Sequence, residues 1–519
     1  VTTAGLLFSG LAALPADNRA DAETHANLGL QFAQRGDLNH AEQELQQAAK
    51  LAPADPEILT SLGAVLSMQN KLEESSGVFK QALRVSPHDV TARRYLAANL
   101  WQMQRYAEAK QNLQVLLQEK PGDEEARLLL GMVSENLEDY PTAARMLSSV
   151  PEQVRRKPES IAALARSYYH LGQKERARTT LSELSKSSPG APSFFLGASI
   201  ADEMGDYETA EKLLLTIPST PSTAASIGYR LASVQYHAGR FDDSERTLLG
   251  LVDSGHADGQ SYNLLGWVYY KTHRPQEAVQ ALSHAIDLAS GGENNYLDLG
   301  QVLIADHSLP AALELARKAA AVFPNSSPVF ELEGLVEAKM GQFADAIHSY
   351  SRAVELSPAH PDVLLGLAQA QFSAGKDKDA ADTLDSGMKR FPKDARLKVL
   401  YASFLLKEGE TADPQANRRA ETILRSALVL DGSLSDAHYE LGKLALNEGH
   451  LPDALEHLVK AAKLDPQSSS IHFALSRAYR RAGQKDKAAQ EMNAYETLKR
   501  EETPAPGGLA PSLDPQSRF

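Results

Sequence analysis

The chain has 519 residues, a formal net charge of −14 and no cysteine. Disulfides, thiolate metal sites and a thiol nucleophile are thereby excluded, and an acidic chain lacks the broad positive field that nucleic-acid backbones require. An apolar content of 43% suits a soluble folded protein, and the length alone would imply several domains.

The first segment, residues 1–21, contains an uncharged eleven-residue run, Ala4 to Leu14. That is too short to cross a bilayer as a helix. It fits the apolar core of a secretory signal, with a small-x-small triplet at Ala20-Asp21-Ala22 behind it. No basic residue precedes it, and the same run fits an apolar helix capping the segment that begins at Ala22. An export signal implies a periplasmic or secreted protein with a mature start near Glu23; a cap is compatible with the cytoplasm.

From Glu23 to Pro53 the sequence sets a frame that recurs almost to the C-terminus. Leu28, Gly29 and Phe32 share one stripe of a helix, and Ala41, Leu45 and Ala48 share one stripe of a second. Gly36 sits between them, where a helix end favours a left-handed residue, and Pro53 stops the second helix. The predicted unit is helix, tight turn, helix, stop. Stepping from Ala41 gives Ser75, Ala109, Ala143, Ala177, Ala210, Ser244, Ala278, Ala312, Ala346, Ala380, Ala420, Ala454 and Ala488. Every step is 34 residues, except 33 into Ala210 and 40 into Ala420. A small residue held in register over such a distance implies close approach of two helix backbones. Five residues before the mark, eight repeats carry glycine: Gly36, Gly172, Gly205, Gly239, Gly341, Gly375, Gly449 and Gly483.

In this pattern the chain resembles the tetratricopeptide-repeat (TPR) family, whose period is about 34 residues. One clean repeat reads Leu265-Gly266-x-x-Tyr269, Ala278, Leu282, Ala285; another reads Leu441-Gly442, Ala454, Leu458, Ala461, Pro466. The resemblance spans about Ala22 to Arg500 and implies an all-α fold, a right-handed α-α superhelix of about fourteen antiparallel helix pairs.

Repeats one to six occupy residues 22–218, and the first four, to Arg156, read as regular. Repeat five is locally basic, with Arg155, Arg156, Lys157, Arg166, Lys174, Arg176, Arg178 and Lys186. That stretch is either a solvated face or a dock for an acidic segment. Pro218 and Pro221 end repeat six and mark a candidate hinge. Repeats seven and eight run over 219–292, closing on the glycine pair 291–292, a second soft joint. Residues 293–502 hold repeats nine to fourteen and a polar capping helix. Six extra residues in repeat twelve, within 408–416, fit a surface loop. The tail, 503–519, is rich in proline, glycine and serine and is expected to be disordered.

Chemistry is hard to place in this frame. The segments flanking the repeats are too short to bury a core of their own, so no catalytic domain is expected. Among fifteen histidines there is no H-E-x-x-H pair; His450 and His457 lie seven residues apart, about 10 Å along a helix and too far for one metal ion. No GxxxxGK loop or G-x-S-x-G elbow is present. We therefore expect no enzyme activity, no cofactor and no metal.

By the resemblance, certain positions of each first helix point into a groove. They map to Arg94 and Trp101 in repeat three, Arg166 and Tyr169 in repeat five, and Tyr229 and Tyr236 in repeat seven. Repeat eight supplies Asn263, Trp267 and Tyr270, and repeat thirteen Tyr439 and Lys443. Exposed Trp, Tyr and Arg are what binding anchors look like; the alternative is that Trp267 and Tyr270 pack against the neighbouring repeat. A Lys/Asn/Arg clamp for a C-terminal carboxylate is not evident. An asparagine ladder starting at Asn27 is broken by Ser61, Tyr95, Leu129 and Asp298. The expected function is a non-enzymatic scaffold binding protein or peptide segments, with cell-envelope assembly or secretion as the context. A self-assembling structural protein, which would form homo-oligomers, and an accessory subunit of a glycan-export or glycosyltransferase complex are the alternatives. No nucleic-acid partner and no stable membrane span are expected.

Overall fold

Asp55, Asp89 and Asp123 stand one repeat apart, and each accepts hydrogen bonds from the backbone N–H groups that open a helix. This is how the sequence restarts a helix after Pro53, Pro87 and Pro121. The computed structural model describes residues 16–187, 190–220, 222–288, 292–358, 360–408 and 414–502. The apolar run Ala4–Leu14, Pro221, Gly291, residues 409–413 of the repeat-twelve loop and the tail 503–519 lie outside the described residues.

Among the described residues there are twenty-nine helices and no strands. The chain divides into two compact halves, Val1–Ala238 and Gly239–Phe519. In the first half the helices are α1 (Ala16–Gln34), α2 (Leu38–Leu51), α3 (Pro56–Met68), α4 (Leu72–Val85), α5 (Val90–Gln102), α6 (Tyr106–Glu119), α7 (Glu124–Asn136), α8 (Tyr140–Ser148), α9 (Pro151–Arg155), α10 (Pro158–His170), α11 (Lys174–Ser187), α12 (Ala191–Glu203), α13 (Tyr207–Thr216) and α14 (Ala224–His237). The second half holds α15 (Phe241–Asp253), α16 (Gly259–Lys271), α17 (Pro275–Leu288), α18 (Glu293–Ala305), α19 (Leu309–Val322), α20 (Ser327–Lys339), α21 (Phe343–Leu356), α22 (Pro361–Ser373), α23 (Asp377–Arg390), α24 (Ala395–Glu408), α25 (Pro414–Leu430), α26 (Ser435–Glu448), α27 (Leu451–Leu464), α28 (Ser469–Arg481) and α29 (Lys485–Glu502). Within each half the helices form antiparallel hairpins, each packed on the next, as a TPR solenoid requires.

The hairpin turns explain the glycines. All eight predicted turn glycines have positive φ, from 68° to 84°. The residue after the turn glycine closes the helix end: Asp37 N–H reaches Phe32 O at 3.0 Å, and Gln173 N–H reaches Tyr168 O at 2.8 Å. Repeats two, three, four, eight and nine lack that glycine, and Asn70, Gln104, Glu138, His273 and His307 take the same left-handed conformation at φ of 57° to 61°.

The core grows from the register mark. Ala41 and twelve of its equivalents are fully buried, and Ala488, in the last repeat, is 5% exposed. The small residue lets the two helices of a hairpin approach, and the Leu-Gly pair completes the fit. A Cβ on Gly266 would lie 2.5 Å from Leu282 Cγ, and one on Gly442 would lie 2.6 Å from Leu458 Cγ. In these two repeats the first helix gives up a side chain so that a leucine of the second can seat against its backbone.

Repeat four departs from the regularity expected of it. Its second helix, α8, has only nine residues, and Pro151 opens the separate five-residue α9. Proline lacks the N–H needed to continue α8 but is at home in the first turn of a new helix. Val154 then plugs α9 into the core formed with Leu147, Val150 and Leu181. The link after α13 is laced by local hydrogen bonds: Thr223 Oγ1 donates to Pro218 O at 2.8 Å and accepts from Thr220 N–H at 2.9 Å.

Candidate interaction face

Within each half, successive first helices touch one another, as α3 touches α5 and α18 touches α20. Among the described residues the second helices pack chiefly on the first helices that flank them, with α9 also touching α11. The first helices therefore line the inner side of each stack, and their outward positions form one continuous face per half.

On the first half this face carries Arg94, Trp101, Arg166, Tyr169 and Tyr229, all partly buried. Arg94 of α5 pairs with the buried Asp123 and, at 3.4 Å, with Glu125. Arg166 Nε donates to Glu135 Oε1 at 2.7 Å, and Tyr169 Oη donates to Asp206 Oδ2 at 2.9 Å. Burial, reinforced by the Asp206 charge, pushes the Tyr169 phenol well above its usual range. Trp101 lies half-buried against the core that contains Leu100 and Leu130.

Four predicted residues are not exposed anchors. Trp267 is fully buried, and its ring meets Tyr270 edge-on with centroids 5.5 Å apart. Tyr270 and Tyr236 are buried as well. Asn263 is enclosed in a polar cluster: its Nδ2 donates to Asn295 Oδ1 at 3.1 Å and to Asp298 Oδ2 at 2.9 Å, and Asn295 Nδ2 donates to Ala285 O at 3.2 Å. Through Asn263 and Asn295 this cluster joins α16, α17 and α18. The broken ladder thus survives as one buried asparagine–aspartate knot.

In repeat five, Arg155, Arg166, Lys174 and Arg178 are all in ion pairs with carboxylates of the same half. Arg176 donates to Tyr168 Oη at 2.7 Å and stacks over that ring. The basic stretch is spent largely on internal pairing, and the side chain of Lys186 is outside the described residues.

On the second half Tyr439 and Lys443 remain at the surface of α26. Lys443 Nζ lies 4.9 Å from the Tyr439 ring centroid and 3.0 Å from Glu440 Oε2. Burial raises the Tyr439 phenol, while Lys443 and Arg477 pull it the other way. One repeat on, α28 presents Phe473, Arg477 and Arg480, all exposed, with Phe473 against Tyr495 at 5.1 Å. The sequence reading missed this trio, although the register that marks Tyr439 and Lys443 reaches Phe473 and Arg477 by the same 34-residue step.

Among the described residues no three His, Asp or Glu side chains converge as a metal set, and no helix is long and apolar enough to cross a membrane. His457 faces His438 and not His450, with Nδ1 to Nδ1 at 2.9 Å. Burial lowers the pKa values of both His438 and His457.

Three family models, each described as tetratricopeptide repeat, match residues 69–163 and 337–404, residues 229–293 and 439–504, and residues 163–191, together more than half of the chain. The chain belongs to the tetratricopeptide-repeat family. This TPR chain is similar to the TPR repeat-containing protein YpiA of Bacillus subtilis, 23% identical over 67% of the chain and 81% of the relative. It is also similar to the mouse interferon-induced protein with tetratricopeptide repeats 3, 24% identical over 42% of the chain and 58% of that relative. Among solved structures, yeast Tom70 aligns at TM-score 0.42 and 17% identity over 93% of this chain and 96% of that one. The Cut9–Hcn1 complex aligns at TM-score 0.38 and 14% identity, over 93% and 94%.

Proposed function

We propose that this TPR chain is a non-enzymatic scaffold that holds protein segments along the face of its first helices, in cell-envelope assembly or secretion. The observation that carries the binding reading is Trp101. A large aromatic stands half-buried on α5 while the small residues and leucines of the hairpins already fill the core beneath it. Half-buried aromatic side chains on a rigid helical face give much contact area for little ordering cost. Tyr229 on α14 and Tyr439 on α26 are partly buried aromatics on first helices as well, at the register position of Arg94. The envelope context rests on the uncharged run Ala4–Leu14.

Affinity capture from native extract tests the reading. Trp101→Ala and Tyr229→Ala are expected to lose captured proteins while the helical circular-dichroism signal is retained. Unchanged capture by both variants would remove it. For the context, N-terminal sequencing of the native protein is expected to begin near Glu23; residues 1–21 intact on cytosolic protein would exclude export.

A further inference from the structure

The last repeat differs in charge from the chain that carries it. Across 519 residues the net charge is −14, yet α28 reads SSIHFALSRAYRR, with three arginines and no acid. Phe473, Arg477 and Arg480 fall at i, i+4 and i+7, one face of the helix. All three are exposed, Phe473 at 40%, and neither Arg477 nor Arg480 meets a carboxylate among the described residues. This sets them apart from Arg94, Arg166 and Arg178, each of which is paired within the fold.

Two neighbouring features extend the surface. On one side Tyr439 presents its ring with Lys443 above it, the lysine shared with Glu440. On the other, a cleft of about 540 Å³ opens between α28 and α29, floored by Ala488, Ala489 and Met492, with Arg480, Lys485 and Glu496 at its rim. From Tyr439 to the cleft the order is aromatic, cationic, apolar.

We propose that this surface takes an acidic segment of a protein partner that carries an apolar side chain. Carboxylates of the segment pair with Arg477 and Arg480, and the apolar side chain rests on Phe473 or enters the cleft beside Met492. Guanidinium groups with no internal partner gain charge-assisted hydrogen bonds at little desolvation cost, because they are already exposed. The exposed aromatic supplies the apolar contact that a charge pair alone lacks. A second copy of this chain is disfavoured as the occupant, since two bodies of net charge −14 repel. The inference rests on the scaffold reading and assigns it a partner chemistry at one place.

The test uses the full chain and three probes read by fluorescence anisotropy: a labelled dodecapeptide of glutamates with two leucines, the same peptide with glutamine for every glutamate, and single-stranded poly(U). The glutamate peptide is expected to bind, to weaken several-fold between about 50 and 200 mM salt as the Debye length roughly halves, and to bind at least tenfold tighter than the glutamine peptide. Arg477→Glu with Arg480→Glu is expected to abolish binding, and Arg477→Gln with Arg480→Gln to weaken it at least fivefold; Phe473→Ala should weaken it with less salt dependence. Equal binding of the two peptides, insensitivity to both arginine pairs, or tighter binding of poly(U) would overturn the proposal. So would a dimer in sedimentation that Arg477→Glu with Arg480→Glu dissolves, which would assign the face to a second copy. Failure of the peptide to bind while Trp101-dependent capture persists removes this inference alone; loss of that dependence removes the scaffold reading beneath it.

Discussion

Arg178 donates from Nε and Nη2 to the two carboxylate oxygens of Asp206, each at 2.8 Å, across the join between repeats five and six. Tyr169 and Thr209 add hydroxyl donors at 2.9 Å, and Lys174 lies at 3.3 Å. Asp206 also immediately precedes α13, so one buried acid ties α10, α11 and α13 together. Burial alone would raise its pKa, but Arg178, Tyr169, Thr209 and Lys174 outweigh it and hold the carboxyl well below the usual carboxylate range.

Asp206→Ala is expected to destabilise the first half by about 3 kcal/mol, because it leaves Arg178 and Tyr169 without their partner. The pH dependence has a definite sign. A carboxyl whose folded pKa is depressed contributes stability that is present above the ordinary value, about pH 4, and is lost as pH falls through the folded value. Urea unfolding at pH 7 and pH 3 should therefore show a larger acid loss for the wild type than for Asp206→Asn. Equal losses would show that Asp206 does not set the acid limb.

Trp267→Ala is expected to cost about 3–5 kcal/mol, the range for emptying a buried aromatic site. Chemical denaturation monitored by circular dichroism measures it. A change below about 1 kcal/mol would contradict the packing seen around Tyr270.

Gln104→Gly and Glu138→Gly are each expected to stabilise by about 1 kcal/mol, since both residues hold a left-handed backbone that disfavours a Cβ. Gly239→Ala, at φ 71°, should destabilise by a similar amount. Opposite shifts in the denaturation midpoint check the pair; shifts of the same sign would mean that side-chain contacts, not the backbone, decide these turns.

The facing histidines His438 and His457 predict a second pH effect. Lys460 opposes a charge on either ring, Arg425 on His457; Glu456 favours both, and Asp453 favours His457. Burial dominates and lowers both pKa values, so the unfolded chain takes up protons first. Stability is then lost as pH falls below about 6.5, the ordinary histidine value. The thermal midpoint should drop more between pH 7.5 and 5.5 for the wild type than for His457→Gln; an equal drop would remove the pair as the cause.

The sequence made the scaffold legible because its rules are local. A turn needs a left-handed residue, so Gly36 and its equivalents mark turns; a hairpin needs a small seat, so Ala41 and its equivalents mark the core. The face was less legible because exposure depends on the next repeat. Arg166 and Trp267 occupy the same register position, yet Arg166 reaches an acid at the surface and Trp267 is fully buried. An indole is large and apolar enough to be covered by an adjoining helix, whereas a guanidinium keeps its head in water. Phe473 and Arg477, at the register positions of Tyr439 and Lys443, are exposed where those two are partly buried. The break at Pro151 was legible in principle, since a proline two residues after Ser149 cannot continue α8.

The buried seat at Ala41 and its thirteen equivalents also bears on how such a chain changes size. Each hairpin closes on the same small residue, and several close on the same Leu-Gly notch, so the hairpin built around residue n is nearly interchangeable with the one built 34 positions later. Excising or copying a segment of one period rejoins matching surfaces within a half. Length becomes a quantity the lineage can adjust in whole steps by recombination, while the outward positions of each inserted copy are free to diverge.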